Sequence, residues 1–363
     1  MQIEIFFNRV GKLAAYIFFI VILLELGSWG ALKIYRSMNQ HVNANAISSE
    51  VMAELETVMS NNVFFPTRWY TNMLNFNGKY VVTDGSGFRI DRKLLVNSRS
   101  IGFFGGSTMF SVVTRQSETI PDQFKLTGFD SLNFGVGGYS TTAELPTFIE
   151  ALKKYPNIKV AVFYDGVNES ARYVELVQDE ASVELFKSVG YYYKALAKTS
   201  VLDLKDTNIN FKSSFIELWS RLVTKLFSSH VKLENVDWDK VSTVIADEYL
   251  TNIEFIQIIS AGRGVRTFFF WQPNIFTTKK NLTNFESSII FEDKTIMPDL
   301  ARKVREKVIS DPRFKKLNII DLTNALDGSK EEVFYDWCHM NGSGNKIIAK
   351  RINSIISNRD HQI

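Results

Sequence analysis

Short apolar runs alternate with helical patterns along most of this chain, and that alternation limits its folds more than any other feature. The runs are Ser100–Phe104, Ser131–Phe134, Lys159–Tyr164, Val265–Trp271 and Asn318–Leu322. Helical patterns follow them near Ser117–Leu126, Thr141–Lys154, Val241–Ser260, Asp299–Ser310 and Gly342–Ser357. The runs are nearly continuous in apolar residues, as strands covered on both faces must be. Strands that alternate with helices predict a mainly parallel sheet with helices on both sides. The expected fold class is therefore α/β, a flavodoxin-like three-layer sandwich around a five-stranded sheet. Right-handed crossovers then bring the carboxyl ends of the strands to one edge, where sites form.

The remaining segments break this rhythm. Leu13–Leu32 is almost wholly apolar apart from Glu25. About 20 such residues suffice to cross a bilayer as a helix. Arg9 and Lys12 precede the stretch, Lys33 and Arg36 follow it, and Trp29 and Tyr35 suit an interfacial belt. The expectation is an N-terminal membrane anchor over residues 1–36, with the following domain outside the cytoplasm. A cleaved leader ending near Gly27, Ser28, Gly30 and Ala31, and a buried core helix, are the competing readings. Residues 40–62 carry Ile47, Val51, Met52, Leu55, Val58 and Met59 on one helical face, so 37–98 reads as a stalk or lead-in. The turn pairs Asn77-Gly78 and Asp84-Gly85 allow a short hairpin there. An insertion at about 170–236, rich in aromatics such as Tyr173, Phe186, Tyr191, Tyr192 and Tyr193, interrupts a domain spanning 99–358.

Composition excludes some functions. Of 363 residues, 42 are basic and 39 acidic, and a net charge of +3 gives no case for nucleic-acid binding. The single cysteine, Cys338, permits neither an intrachain disulfide nor a cysteine-based structural zinc site. Neither a cofactor nor a metal is called for.

Four motifs stand at strand ends or before the last helix. The first is Gly105-Gly106-Ser107-Thr108. A nucleophilic serine needs a sharp strand-to-helix turn, and glycines permit one. A plain turn fits too; a phosphate loop would want Gly-Lys-Ser/Thr, which is missing. The second is Asn133-Phe134-Gly135-Val136-Gly137-Gly138, which offers either a closely approaching backbone amide or simply a tight loop. In the third, Gly166-Val167-Asn168-Glu169, the asparagine can donate to an oxyanion or cap a helix. The fourth is Asp336-Trp337-Cys338-His339. A carboxylate three residues before a histidine can hold the imidazole tautomer that accepts a serine proton. The other histidines are His41 beside the apolar stretch, His361 in the tail, and His230 with no acid within three residues.

In their order and spacing the four motifs resemble the SGNH/GDSL hydrolase family, from about residue 99 to 354 without the insertion. The resemblance implies a carboxylic ester hydrolase with Ser107 as nucleophile, His339 as base and Asp336 as its partner. It also implies an oxyanion hole made by the Ser107 and Gly138 amides and the Asn168 side chain. Two positions depart from the family: Gly106 stands where Gly-Asp-Ser has its aspartate, and Glu169 ends the usual Gly-x-Asn-Asp. Resemblance to membrane-anchored members further implies an ester-bearing substrate such as an O-acetylated envelope polysaccharide. O-acetyl transfer by the same triad is one alternative. A non-catalytic, membrane-tethered glycan-binding scaffold is another.

Overall fold

The computed structural model describes residues 23–30, 47–65, 67–91, 99–171, 236–292 and 296–360. Apart from 23–30, these belong to one compact unit made of Asn45–Ser200 and Val236–Ile363. Most of Leu13–Leu32 lies outside the described residues; 23–30 are helical. Among the described residues no helix is long and apolar enough to cross a membrane, so the expected transmembrane helix has no structural support. The expected insertion also lies outside them from 172 to 235.

Helix α1 (Ser49–Ser60) opens the unit, capped by the Ser48 hydroxyl, which accepts from the Val51 amide. It leads into a two-stranded antiparallel hairpin, β1 (Val63–Phe65) and β2 (Trp69–Thr71). Val51, Leu55 and Val58 of α1 pack with Val81, Phe110, Val112 and Val113. The lead-in thus rests against the chain just after the Gly-Gly-Ser motif.

The main sheet contains β3 (Ser100–Gly105), β4 (Asp130–Asn133), β5 (Ile158–Asp165), β6 (Arg266–Trp271) and β7 (Ile320–Asp321). Its order is β4-β3-β5-β6-β7, and every neighbouring pair is parallel. Consecutive side chains of these strands face opposite layers. Phe104, Phe163 and Phe269 share one core with Phe148, Ile253 and Val304. Phe103, Val162 and Phe270 share another with Phe124, Ile348 and Ile352. Both faces are buried, as the unbroken apolar runs require.

On the first face, rings cross the sheet in a row. Phe104 stacks on Phe134 and on Phe163, each at 4.8 Å, and Phe163 stacks on Phe269 at 5.3 Å. The aligned register makes this possible: Phe104 pairs with Phe163, and Phe163 with Phe269. Gly102 keeps the space open, since a Cβ there would lie 2.8 Å from the Phe104 ring and 3.1 Å from Phe134.

The crossovers use α2 (Ser107–Phe110), α3 (Ile120–Gln123), α4 (Thr141–Lys154), α5 (Val167–Ala171) and α6 (Trp238–Arg263). Then come α7 (Asn284–Glu292), α8 (Met297–Ser310), α9 (Pro312–Lys316) and α10 (Gly342–Asp360). The expected helix at Ser117–Leu126 is shorter than its pattern suggested. A single 3₁₀ turn precedes α3, which Thr119 caps and Pro121 enters in its first turn. The Asn318–Leu322 run contributes only Ile320 and Asp321 to the sheet edge.

Candidate active site

Parallel strands end on one edge, so the loops after β3, β4 and β5 start side by side. Ser107 follows β3 and is the first residue of α2. The loop after β4 is pinned to α2 by Asn133, whose side-chain N–H donates to the Met109 carbonyl at 3.0 Å. The Asn133 side-chain Oδ1 accepts from the Gly135 amide at 2.9 Å. Gly135 itself fits tightly: a Cβ there would come within 2.3 Å of the Phe110 nitrogen. These contacts explain the first half of the Asn-x-Gly-x-x-Gly motif. Its last glycine, Gly138, has φ +81°, a conformation that favours glycine. The Tyr70 hydroxyl, from the lead-in hairpin, donates to the Gly137 carbonyl at 2.6 Å and holds that loop from outside.

Asn168 sits in α5, directly after β5. Its amide donates to the Tyr139 carbonyl at 2.6 Å, which brings it beside the Gly138 loop. Neither the Ser107 nor the Gly138 backbone amide donates to a backbone carbonyl among the described residues. Ser107 and Asn168 are partly exposed and Gly138 is exposed, whereas the β3 strand that leads to Ser107 is buried throughout. These three groups are therefore open to solvent beside the buried strand.

The last loop brings the acid and the base. The His339 Nε2 lies 2.8 Å from the Ser107 Oγ, across 232 positions of sequence. His339 Nδ1 lies 2.6 Å from Asp336 Oδ2. Asp336 Oδ1 accepts two more hydrogen bonds, from the Cys338 amide at 2.9 Å and the His339 amide at 2.8 Å. Burial alone would raise the Asp336 pKa. The hydrogen bond and charge of His339, aided by those two amides, outweigh it and hold the carboxyl below its usual range. An ionised Asp336 accepts from His339 Nδ1–H, which leaves Nε2 as the acceptor facing Ser107.

This loop is fastened from below. Glu286 takes the Val333 and Phe334 amides at 2.9 and 3.1 Å, and Lys280 pairs with it at 2.5 Å. Both charged side chains of that pair are fully shielded from solvent. The Ile275 amide donates to the Trp337 carbonyl, and Trp337 stacks on Phe276 at 5.7 Å.

Cys338 Sγ also approaches His339 Nδ1, at 3.6 Å, and with Asp336 the three offer ligand-type atoms within 4.8 Å of one another. They fit a metal poorly. Thiol ligation needs the thiolate, and burial, then the Asp336 charge, pushes the Cys338 pKa well up.

Ser107, Asp336 and His339 are thus brought together, and Gly138 and Asn168 border one connected pair of loops. His41, His230 and His361 lie outside the described residues. Sequence reasoning passed over Tyr70, Tyr139 and Glu286 and gave Glu169 no role, and each of the four acts through a partner distant in the chain.

The sequence matches no family model and no curated protein sequence. Among solved structures the chain is similar to a GDSL-like lipase from Bacteroides thetaiotaomicron, with 12% identity and a TM-score of 0.38 over 74% of this chain and 94% of that one. It is also similar to a member of the lipolytic protein G-D-S-L family from Veillonella parvula, with 12% identity, a TM-score of 0.39 and coverage of 71% and 98%. A third similar structure is an acetylxylan esterase from Geobacillus stearothermophilus, with 11% identity, a TM-score of 0.36 and coverage of 71% and 94%.

Proposed function

We propose that this protein is a serine ester hydrolase in which Ser107, His339 and Asp336 act as a catalytic triad. The observation that carries the reading is the unbroken chain of contacts from Asp336 through His339 to Ser107, at 2.6 and 2.8 Å. Ser107 Oγ attacks the ester carbonyl carbon while its proton passes to His339 Nε2. The resulting imidazolium is stabilised by ionised Asp336. The carbonyl oxygen becomes an oxyanion that the Ser107 and Gly138 amides and the second N–H of Asn168 receive. Collapse breaks the carbon–oxygen bond, and the proton moves from His339 to the departing alkoxide. Water, deprotonated by His339, then attacks the acyl-serine, releasing the carboxylic acid and restoring the serine hydroxyl.

The acyl group we read as small, an acetyl ester on an envelope polysaccharide, with residues 1–36 as anchor and the hydrolase unit outside the cytoplasm. The motif resemblance and the apolar Leu13–Leu32 stretch support these finer points. Incubation with an acetylated glycan and an acceptor separates hydrolysis, which frees acetate, from transfer, which acetylates the acceptor.

The full chain, purified in detergent, is expected to hydrolyse a short-chain aryl acetate and to react with a fluorophosphonate at Ser107. Ser107→Ala should lose both activities. Equal turnover by that variant, or a probe that labels another residue, overturns the assignment.

A further inference from the structure

Glu169 is buried, and its two oxygens serve two different loops. Oε1 accepts the Thr141 amide at 3.0 Å, and Oε2 accepts the Gly166 amide at 2.8 Å. Thr141 begins α4, three residues after Gly138; Gly166 stands two residues before Asn168. One carboxylate therefore ties the loop after β4 to the loop after β5. The Asn168 bond to the Tyr139 carbonyl is a second tie between the same loops.

We infer that Glu169 is a positioning residue for the oxyanion hole, fixing the spacing between the Gly138 amide and the Asn168 side chain without touching substrate. The inference rests on the ester-hydrolase reading of the site. An ionised carboxylate suits the task because it alone among side chains of this size accepts two separate N–H groups with both ends. Thr141 is the first residue of α4, where a negative charge is favoured by the exposed amides of a helix start. Glu144 and Asp165 are fully buried, and burial, then the charges around them, Glu169 included, hold both carboxyls protonated well above their usual range. The extra methylene relative to aspartate, which ends the family's Gly-x-Asn-Asp, gives the carboxylate the reach to span both amides. A glutamine here keeps the shape but turns an N–H₂ group towards one of the two amides, which pushes the loops apart.

The test is aryl acetate hydrolysis by the full-length protein and its Glu169→Gln and Glu169→Asp variants, with reactive sites counted by fluorophosphonate burst. A displacement of catalytic groups by about 1 Å costs on the order of a hundredfold. The expectation is a kcat per titrated site that falls roughly tenfold to a hundredfold in Glu169→Gln, with KM within about twofold. Glu169→Asp, which keeps the charge, should fall in between. If Glu169→Gln does not fold, the kcat per site of Glu169→Asp decides alone. A purely structural role would reduce the number of reactive sites and leave each at the wild-type rate; that result overturns the inference. Absence of any wild-type turnover would instead defeat the hydrolase reading beneath it.

Discussion

The Asn168 amide occupies the place where a side chain on Gly106 would begin: a Cβ built at Gly106 falls 1.8 Å from Asn168 Nδ2 and 2.8 Å from the Tyr139 carbonyl oxygen. Gly106 has φ −84°, which any residue can adopt. The neighbouring loop therefore leaves no room for a side chain here. The Gly-Asp-Ser of the resembled family cannot be accommodated here without moving Asn168.

Gly106→Ala should accordingly displace Asn168 and remove one oxyanion donor while leaving the triad in contact. One such donor is worth about 2.7–4 kcal/mol of barrier, so kcat should fall roughly a hundredfold or more. Gly106→Asp should do at least as much harm. Steady-state hydrolysis of an aryl acetate measures both, and an alanine variant with wild-type kcat would mean that Asn168 plays no part in the oxyanion hole.

Asp336→Asn isolates the role of the carboxylate. The asparagine oxygen can keep the Cys338 and His339 amides that Oδ1 now accepts. Its N–H₂ group then faces His339 Nδ1, which forces the ring proton onto Nε2, where it points at Ser107. A base in that tautomer cannot take the serine proton, and a loss of about 10⁴ in kcat is expected. Near-native melting together with that loss would locate the defect in the tautomer. A variant that retains a tenth of the wild-type rate would remove Asp336 from the triad.

Much of this arrangement was legible before any coordinates, because the features that carried it are local. Strands such as Lys159–Tyr164 are apolar on both faces, so their runs stand out without reference to partners. Ser107, Gly138 and Asn168 could be placed at strand ends, and His339 before the last helix, from pattern alone. What the sequence concealed depends on contacts between distant positions. Glu169 reaches Thr141 across 28 positions, Tyr70 reaches Gly137 across 67, and Glu286 reaches Val333 across 47. No periodicity marks such residues. Short elements were also obscured: the pattern at Ser117–Leu126 is helical, yet Thr119 and Pro121 reset the chain and only Ile120–Gln123 continues as an α-helix.

The buried Lys280–Glu286 pair supports the loop that carries Asp336 and His339, so its loss should show in both stability and activity. Lys280→Met leaves Glu286 shielded from solvent without its cation, a change that typically costs 3–5 kcal/mol. Burial opposes ionisation of Glu286, but Lys280 and the Thr283, Val333 and Phe334 amides outweigh it and lower the pKa. A lowered carboxyl stabilises the fold above its unfolded pKa and loses that contribution as pH falls through the folded value. The wild type should therefore lose stability in acid more steeply than the Lys280→Met variant, whose Glu286 is held down by the three amides alone. Thermal melts at pH 7 and below pH 4 check this, and identical acid profiles would show that the pair contributes little.

Glu144 and Asp165 predict the opposite pH dependence. Both are buried beside Tyr249, and neither Glu144 oxygen has a hydrogen-bond partner among the described residues. Burial and neighbouring negative charge raise both pKa values, and burial followed by Asp165, Glu169 and Glu144 raises that of Tyr249. In the unfolded chain these carboxyls ionise near pH 4. Below that pH both states are protonated and the pair's contribution is fully present. As pH rises, the unfolded state sheds its protons first, and stability declines until the folded groups ionise as well. Glu144→Gln removes one of these titrating groups at nearly unchanged side-chain size. Its melting temperature should match the wild type near pH 4 and exceed it increasingly towards pH 8, each 1 kcal/mol appearing as about 2–4 °C in a domain of this size. Parallel melting curves for the two proteins from pH 4 to 8 would mean that the acids beneath the oxyanion loops are not held protonated.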